Sequence, residues 1–172
     1  TGAFDNANAG TGKTVTITPT YSGADVGNYS VTDHSTVTAD VAVKSLTATA
    51  STANKTYDGT TTATTTLTFS GLVGSETLGQ TVGSTFNNKN VGTGKTVTVN
   101  SITLADGSNG GLASNYTINP GQTTSANITT KPLTVSGITS LNKGYDGNAT
   151  ATLDTSSINY GGLISGDNFS GI

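Results

Sequence analysis

The sequence predicts an all-β protein built from tandem antiparallel β-sandwich modules of about 88 residues each. Three observations support this prediction. Apolar residues alternate with threonine over short stretches, glycine-rich turns separate these stretches, and long motifs occur twice along the chain. Threonine and valine dominate the alternating stretches, and their β-branched side chains favour strands over helices. We therefore expect almost no helix.

The strongest signal is a long motif that recurs. Residues 4–17 and 86–99 share the pattern F-[DN]-N-x-N-x-G-T-G-K-T-V-T-[IV], which is too long to arise by chance. Shorter motifs recur in the same order, and Lys44-Ser45-Leu46-Thr47 corresponds to Lys131-Pro132-Leu133-Thr134. This spacing divides the chain into a first segment, 1–43, a middle segment, 44–130, and a last segment, 131–172. The middle segment is predicted to be a complete module, and the other two are the carboxy-terminal and amino-terminal halves of modules.

The order of these pieces predicts two periods of a longer array that is cut at an arbitrary phase. A half module cannot bury a sandwich core by itself, because small β-domains need several strands around an apolar interior. We therefore expect segments 1–43 and 131–172 to be frayed unless a neighbouring copy completes them. The repeat also predicts that Phe4 and Phe86 occupy similar surroundings.

Alternation of apolar and polar residues predicts the positions of the strands. In the stretch 14–18, Val15 and Ile17 share one face and the threonines share the other. The predicted strands are residues 14–18, 29–32, 36–43, 46–50, 61–69, 96–104, 116–119, 126–130, 133–136 and 149–153. The joints between modules pass through residues 44–45 and 131–132 without a flexible linker, which predicts a semi-rigid rod.

Composition excludes several classes of function. The chain has 172 residues, of which 32% are hydrophobic and 10% charged, and it contains no cysteine. Without cysteine there is no disulfide framework and no thiolate metal site. A net charge of −3 argues against a nucleic-acid partner, which needs a clustered basic face. No apolar run approaches the roughly 20 residues that would span a membrane.

Two short motifs invite a functional interpretation. The Asp-Gly pairs in Tyr57-Asp58-Gly59 and Tyr145-Asp146-Gly147 indicate tight turns, each with an anchoring tyrosine. A metal or ligand role for Asp58 is the less favoured alternative. Residues 10–14 and 92–96 superficially resemble a phosphate-binding loop, but an alternating stretch rather than a helix follows each of them. We therefore predict a turn that leads into a strand.

The remaining polar residues do not indicate an active site. The acidic loop residues lack the spacing of a calcium-binding loop, so we expect solvated turn residues at Asp25, Asp33, Asp106 and Asp167. His34, although next to Asp33, cannot make a catalytic triad by itself. We predict no catalytic, cofactor-binding or metal-binding residues, no cofactor, and no enzymatic activity.

Sequons for asparagine glycosylation are frequent in a chain so rich in asparagine and threonine. Asn28 and Asn115 are equivalent in the repeat, which makes them the candidate positions for a bacterial glycosylation system. The six sequons begin at Asn28, Asn54, Asn115, Asn127, Asn148 and Asn168.

The pattern K-x-Y-D-G at residues 55–59, followed by Thr/Ala alternation, resembles the YDG domains and the related bacterial Ig-like (MBG) repeat domains. The K-[SP]-L-T starts at residues 44–47 and 131–134 support the same resemblance, which covers essentially the whole chain. These domains occur in large secreted adhesins and haemagglutinin-like exoproteins. The resemblance implies an extracellular or cell-surface array of Ig-like β-sandwich modules with a role in cell adhesion and biofilms, and it carries over no catalytic residues.

The leading functional hypothesis is a structural segment of a bacterial stalk, filament or adhesin. It would act as a semi-rigid spacer whose partners are neighbouring copies of the same repeat, joined head to tail. The alternative is an adhesive module that recognises host or matrix glycans through loops such as 105–114. Threonine alternation also raises ice or sugar binding, but a flat threonine ladder is needed for this and sandwich strands twist.

Overall fold

The computed structural model describes residues 1–171 and shows an all-β chain. Helical structure in this range is limited to two short 3₁₀ turns, Val26–Asn28 and Ala113–Asn115, as the β-branched composition predicts. The strands are β1 (Gly2–Phe4), β2 (Gly10–Ile17), β3 (Thr36–Val41), β4 (Lys44–Ser45), β5 (Thr47–Thr52), β6 (Lys55–Thr56), β7 (Thr62–Ala63), β8 (Thr65–Ser70), β9 (Leu78–Phe86), β10 (Gly92–Asp106), β11 (Tyr116–Thr117), β12 (Thr123–Thr129), β13 (Thr134–Ser136), β14 (Thr139–Ser140), β15 (Leu153–Asp154) and β16 (Asn159–Gly161).

The chain forms two compact units. Unit 1 contains Thr1–Ala50, Thr66–Gly83 and Val99–Gln122, and unit 2 contains Ser51–Thr65, Ser84–Thr98 and the residues from Thr123 onward. Unit 1 includes the antiparallel sheet β1-β2-β3 and the parallel pair of β4 with β11. A five-stranded sheet has the order β6-β12-β10-β9-β7, and the small antiparallel pairs β13-β16 and β14-β15 lie in unit 2.

Most strand pairs are antiparallel, as predicted, but two are not. The short strand β4 runs parallel to β11, and β6 runs parallel to β12. In both pairs a strand near the start of the middle segment lies beside a strand near its end. The chain can form them because a long excursion separates the partners, as parallel pairing requires.

The predicted alternation appears directly in the burial of the strands. In β2, Val15 and Ile17 are partly buried while the threonines between them are exposed. In β10, Val97 and Val99 are 0% and 1% exposed. One face of each strand therefore carries the apolar side chains.

Each unit buries a small set of apolar side chains from the middle segment. In unit 2, Tyr57 packs against a core cluster that consists of Ala63, Phe86, Val97, Ala126 and Ile128. The buried apolar residues of unit 1 are Leu46, Leu67, Val99 and Tyr116. By contrast, no residue in 1–43 or 131–171 is buried.

Phe4 and Phe86 share a backbone environment but differ in burial. The residue after each phenylalanine donates its amide to the opposite strand, with Asp5 N to Thr14 O at 3.0 Å and Asn87 N to Thr96 O at 2.9 Å. Phe86 is 3% exposed and Phe4 is 42% exposed. The expectation of similar surroundings is thus correct for the backbone and wrong for the side chain, because no strand equivalent to β7 covers Phe4.

Several predicted strands differ from the observed ones. Residues 29–32 form no strand, because the 3₁₀ turn at Val26–Asn28 leads into an extended, exposed stretch without a neighbouring strand. Of residues 149–153 only Leu153 enters a strand, and the stretch 61–69 is divided between β7 and β8. Strands β1 and β9 were not predicted, because glycines interrupt their alternation.

Candidate functional site: the junctions between segments

The Tyr-Asp-Gly motif of the middle segment forms a tight turn that its own side chains close. The Asp58 carboxylate accepts hydrogen bonds from the Thr60 amide at 2.9 Å and from the Lys55 ammonium at 2.8 Å. Gly59 has φ +79°, a conformation that glycine adopts without steric cost. The predicted turn is confirmed, and it leaves the Tyr57 side chain to contact other parts of the protein.

The same turn recurs in the last segment. Lys143 Nζ lies 2.9 Å from Asp146 Oδ1, the Asn148 amide donates to the same carboxylate at 3.1 Å, and Gly147 has φ +76°. The hydrogen bond from Lys55, and after it the one from the Thr60 amide, lower the pKa of Asp58 to about 2. The corresponding Lys143 and Asn148 bonds lower the pKa of Asp146. Both carboxylates are therefore ionised and bound within their own turns.

Tyr57 links the middle segment to the last one. Its hydroxyl donates to Asp167 Oδ2 at 2.7 Å, and Lys89 Nζ lies 3.3 Å from Asp167 Oδ1. The bond from Tyr57, assisted by Lys89, lowers the pKa of Asp167, while the bond to Asp167 raises the pKa of Tyr57 and of Lys89. Asp167 was expected to be a solvated turn residue. Instead it accepts two hydrogen bonds from the preceding segment.

Apolar side chains surround this contact. A cleft of about 200 Å³ beside Tyr57 is lined by Lys131, Leu133, Gly162, Leu163, Ile164, Asp167 and Phe169. The backbone approaches closely here, since a Cβ added to Gly59 would lie 2.8 Å from Ile164 Cγ2. Glycine at position 59 therefore serves both the turn and the contact with the last segment.

The junction between the first and middle segments uses different residues. The Ala9 amide donates to Asn115 Oδ1 at 2.8 Å, and Asn115 Nδ2 donates to Asn8 Oδ1 at 3.1 Å. Because the Asn115 side chain uses both its donor and its acceptor in this contact, a glycan on Nδ2 would displace it. The amide pair thus holds the first segment against the middle segment within unit 1.

Beside this amide pair, a second tyrosine meets a second carboxylate. The Tyr116 hydroxyl donates to Glu76 and accepts a hydrogen bond from the Val73 amide at 3.1 Å. The bond to Glu76 raises the pKa of Tyr116. An adjoining groove of about 240 Å³ is lined by Ala7, Asn8, Ala9, Val41, Ala42, Lys44, Val73, Glu76, Asn115 and Tyr116.

The two G-T-G-K-T motifs form β-bulges and not the predicted turns in front of strands. The antiparallel register shifts between Gly10 and Lys13, and again between Gly92 and Lys95. Side chains from the partner strands take the free bulge amides, with Gly12 N to Asp40 at 2.7 Å and Gly94 N to Asn127 at 2.8 Å. A phosphate would have to displace these side chains.

The other predicted acidic residues engage their own loops. Asp33 accepts from the Tyr21 hydroxyl at 2.6 Å, and Asp106 accepts from the Ala113 amide at 2.7 Å. Within the described part of the chain, no group of three His, Asp or Glu side chains could hold a metal ion. Residues 1–171 also contain no helix with the length and apolar character needed to cross a bilayer.

Comparison with known protein families agrees with the Tyr-Asp-Gly motif. The model of the YDG domain matches the chain at residues 1–39, 42–126 and 129–171. No curated protein and no solved structure matches the chain. Since the family model covers nearly all of the sequence, the chain belongs to the YDG domain family.

Proposed function

We propose that this chain is a semi-rigid spacer in an extracellular bacterial stalk, filament or adhesin, built from Ig-like sandwich modules that join head to tail. One observation carries the proposal: the matched stretches are fastened to each other directly. Residues 40–41 and 127–128 are all that separate one matched stretch from the next. Val41 ends strand β3 and residues 127–128 lie inside strand β12, so no flexible linker intervenes.

Contacts at both junctions support a stiff connection. Tyr57 and Lys89 hold Asp167 in one unit, and Asn115 holds Asn8 and Ala9 in the other. In tandem arrays each module contacts mainly its neighbours, so the length of the array grows by one module at a time. A spacer needs these properties and needs no reactive group.

Small-angle X-ray scattering of the chain at low concentration tests this proposal. A compact globule of this length has a radius of gyration of about 16 Å. A rod of two module lengths, each about 30 to 40 Å, gives a value above about 20 Å and an asymmetric distance distribution. A value near 16 Å with a symmetric distribution would contradict the proposal.

A second candidate, glycan recognition, is favoured by one surface. A groove of about 540 Å³ in the first segment is lined by residues that include Tyr21, Asp25, Val26, Tyr29 and Val31. Tyr21 and Tyr29 are 52% and 75% exposed, and exposed aromatic rings are suited to sugar stacking. A glycan array probed with the chain, with Tyr29→Ala as the control, tests this candidate. Binding that the substitution abolishes would favour recognition over a passive spacer.

A further inference from the structure

Two tyrosines of this chain contact a carboxylate, and two equivalent tyrosines do not. Tyr57 donates to Asp167 and Tyr116 donates to Glu76. Tyr145, the counterpart of Tyr57, is fully exposed, and Tyr29, the counterpart of Tyr116, is 75% exposed. The question is what covers these two exposed side chains.

The exposed tyrosines lie on the same local structures as the engaged ones. Tyr145 follows a lysine-bound Asp-Gly turn whose glycine φ is +76°, against +79° in the turn of Tyr57. Tyr29 and Tyr116 each end a 3₁₀ turn, with φ and ψ of −122° and 141° for Tyr29 and −128° and 156° for Tyr116. Neither tyrosine needs a backbone rearrangement to act as its counterpart does.

The two acidic residues also occupy equivalent loops. The Glu76 amide donates to Val73 O at 3.1 Å, and the Asp167 amide donates to Ile164 O at 3.0 Å. In each loop a glycine with strongly positive φ precedes the acid, at +103° for Gly71 and +97° for Gly162. Glu76 binds the tyrosine of its own segment, whereas Asp167 binds the tyrosine of the preceding segment. Each acid thus shows one half of the contacts that the other shows.

The surroundings of Glu76 can receive the missing tyrosine. The groove beside Glu76 includes Asn8, Ala9, Lys44 and Val73. Their counterparts Asn90, Val91, Lys131 and Ile164 line the clefts next to Tyr57 and Asp167. The open groove of unit 1 therefore corresponds, residue by residue, to the place that Tyr57 occupies in unit 2.

We propose that two copies of this chain join through tyrosine–carboxylate–tyrosine clasps, in which Tyr145 of one copy binds Glu76 of the second and Tyr29 of the second binds Asp167 of the first. Each carboxylate then accepts one tyrosine hydroxyl from its own module and one from the preceding module. The inference rests on the proposed head-to-tail function and names the groups that make the joint. The occupant of the groove is a second copy, because this chain carries both exposed tyrosines and both acids.

Sedimentation velocity of full-length chains, up to about 1 mM, measures the association. Tyr145→Phe and Tyr29→Phe each remove one hydroxyl that meets a charged acceptor, and each should weaken association about tenfold or more. Tyr21→Phe is the matched control, since Tyr21 donates to Asp33 within its own loop. It should leave association unchanged. Equal association constants for all four proteins would overturn the clasp.

Double-mutant cycles test the pairing itself. Tyr145→Phe combined with Glu76→Gln should cost no more than the larger single effect, and the same holds for Tyr29→Phe with Asp167→Asn. The crossed combination of Tyr145→Phe with Asp167→Asn should give the product of the two fold-changes. Coupling in the crossed pair and not in the proposed pairs would overturn the assignment.

Photo-cross-linking gives a readout that does not depend on substituting either acid. A benzophenone amino acid at position 145, in a mixture of isotopically light and heavy chains, should cross-link to residues 73–78 of the other copy. The same probe at position 57 is the control and should cross-link to residues 163–169 of its own chain. Assembled chains whose position 145 cross-links elsewhere would overturn the clasp and leave the spacer standing. Chains that remain monomeric but scatter as rods would do the same.

Discussion

Residues 4–17 and 86–99 have almost the same sequence, but only the second stretch contributes to a core. Their strands show the same bulge and the same amide from the bulge to a partner side chain. Val97 is 0% exposed, whereas its counterpart Val15 remains partly accessible. The difference teaches that local sequence determines the strand and its bulge, and that burial requires the covering strands of a complete middle segment.

The largest expected difference between the two copies concerns the phenylalanines. Phe86→Ala should destabilise the chain by about 3 to 5 kcal/mol, because it leaves a cavity in the core of unit 2. Phe4→Ala should cost less than about 1 kcal/mol, because Phe4 is already partly solvated. Urea unfolding monitored by circular dichroism measures both. Equal costs would mean that Phe4 is covered in solution as Phe86 is.

The glycines of the two Tyr-Asp-Gly turns should differ less strongly. Both have positive φ, so alanine at either position strains the backbone by about 1 to 2 kcal/mol. Gly59→Ala also places its Cβ against Ile164, for a total of about 2 to 3 kcal/mol, whereas Gly147→Ala meets nothing within 4 Å. Thermal unfolding of both variants gives the comparison. A larger loss for Gly147→Ala would show that the last segment carries more of the stability than its exposure indicates.

The tyrosine hydroxyls provide a smaller contrast. Tyr57→Phe removes the hydrogen bond to Asp167 and should cost about 1 kcal/mol. Tyr145→Phe should be neutral in dilute solution, where no second copy is present, because its side chain is fully exposed. Chemical denaturation at low protein concentration separates the two. The prediction fails if Tyr57→Phe is also neutral.

The two turn aspartates should differ in their effect on acid stability. Asp58 has its pKa lowered from 3.8 to about 2 in the folded protein, so its contribution is present above pH 3.8 and is lost as the pH falls through about 2. Asp58→Asn should flatten this part of the stability profile, measured as the urea midpoint over the same pH range. Asp146→Asn should flatten it less, because its turn lies outside the buried core. An unchanged slope in Asp58→Asn would contradict this account.

Sequence reasoning succeeded where a local rule applies. Alternation placed Val97 and Val99 on a buried face, and the Asp-Gly pair placed a turn at Gly59. It failed where partners distant in sequence decide the outcome. Nothing in the sequence around Asp167 indicates that Tyr57 binds it, since 110 residues separate the two. The matching of Glu76 with Asp167 in the repeat was the available signal, because a polar residue kept at equivalent loop positions suggests a shared contact.

The short parallel strands determine how the middle segment would respond to force. A strand near its start, β4 or β6, lies parallel to one near its end, β11 or β12. Tension applied to the two ends of the segment therefore pulls these neighbours in opposite directions along their common axis. The hydrogen bonds between them are loaded in shear and must break together, whereas an antiparallel hairpin pulled from its open end loses its bonds one after another. This pairing gives the segment mechanical resistance without any covalent cross-link, in a chain that has no cysteine.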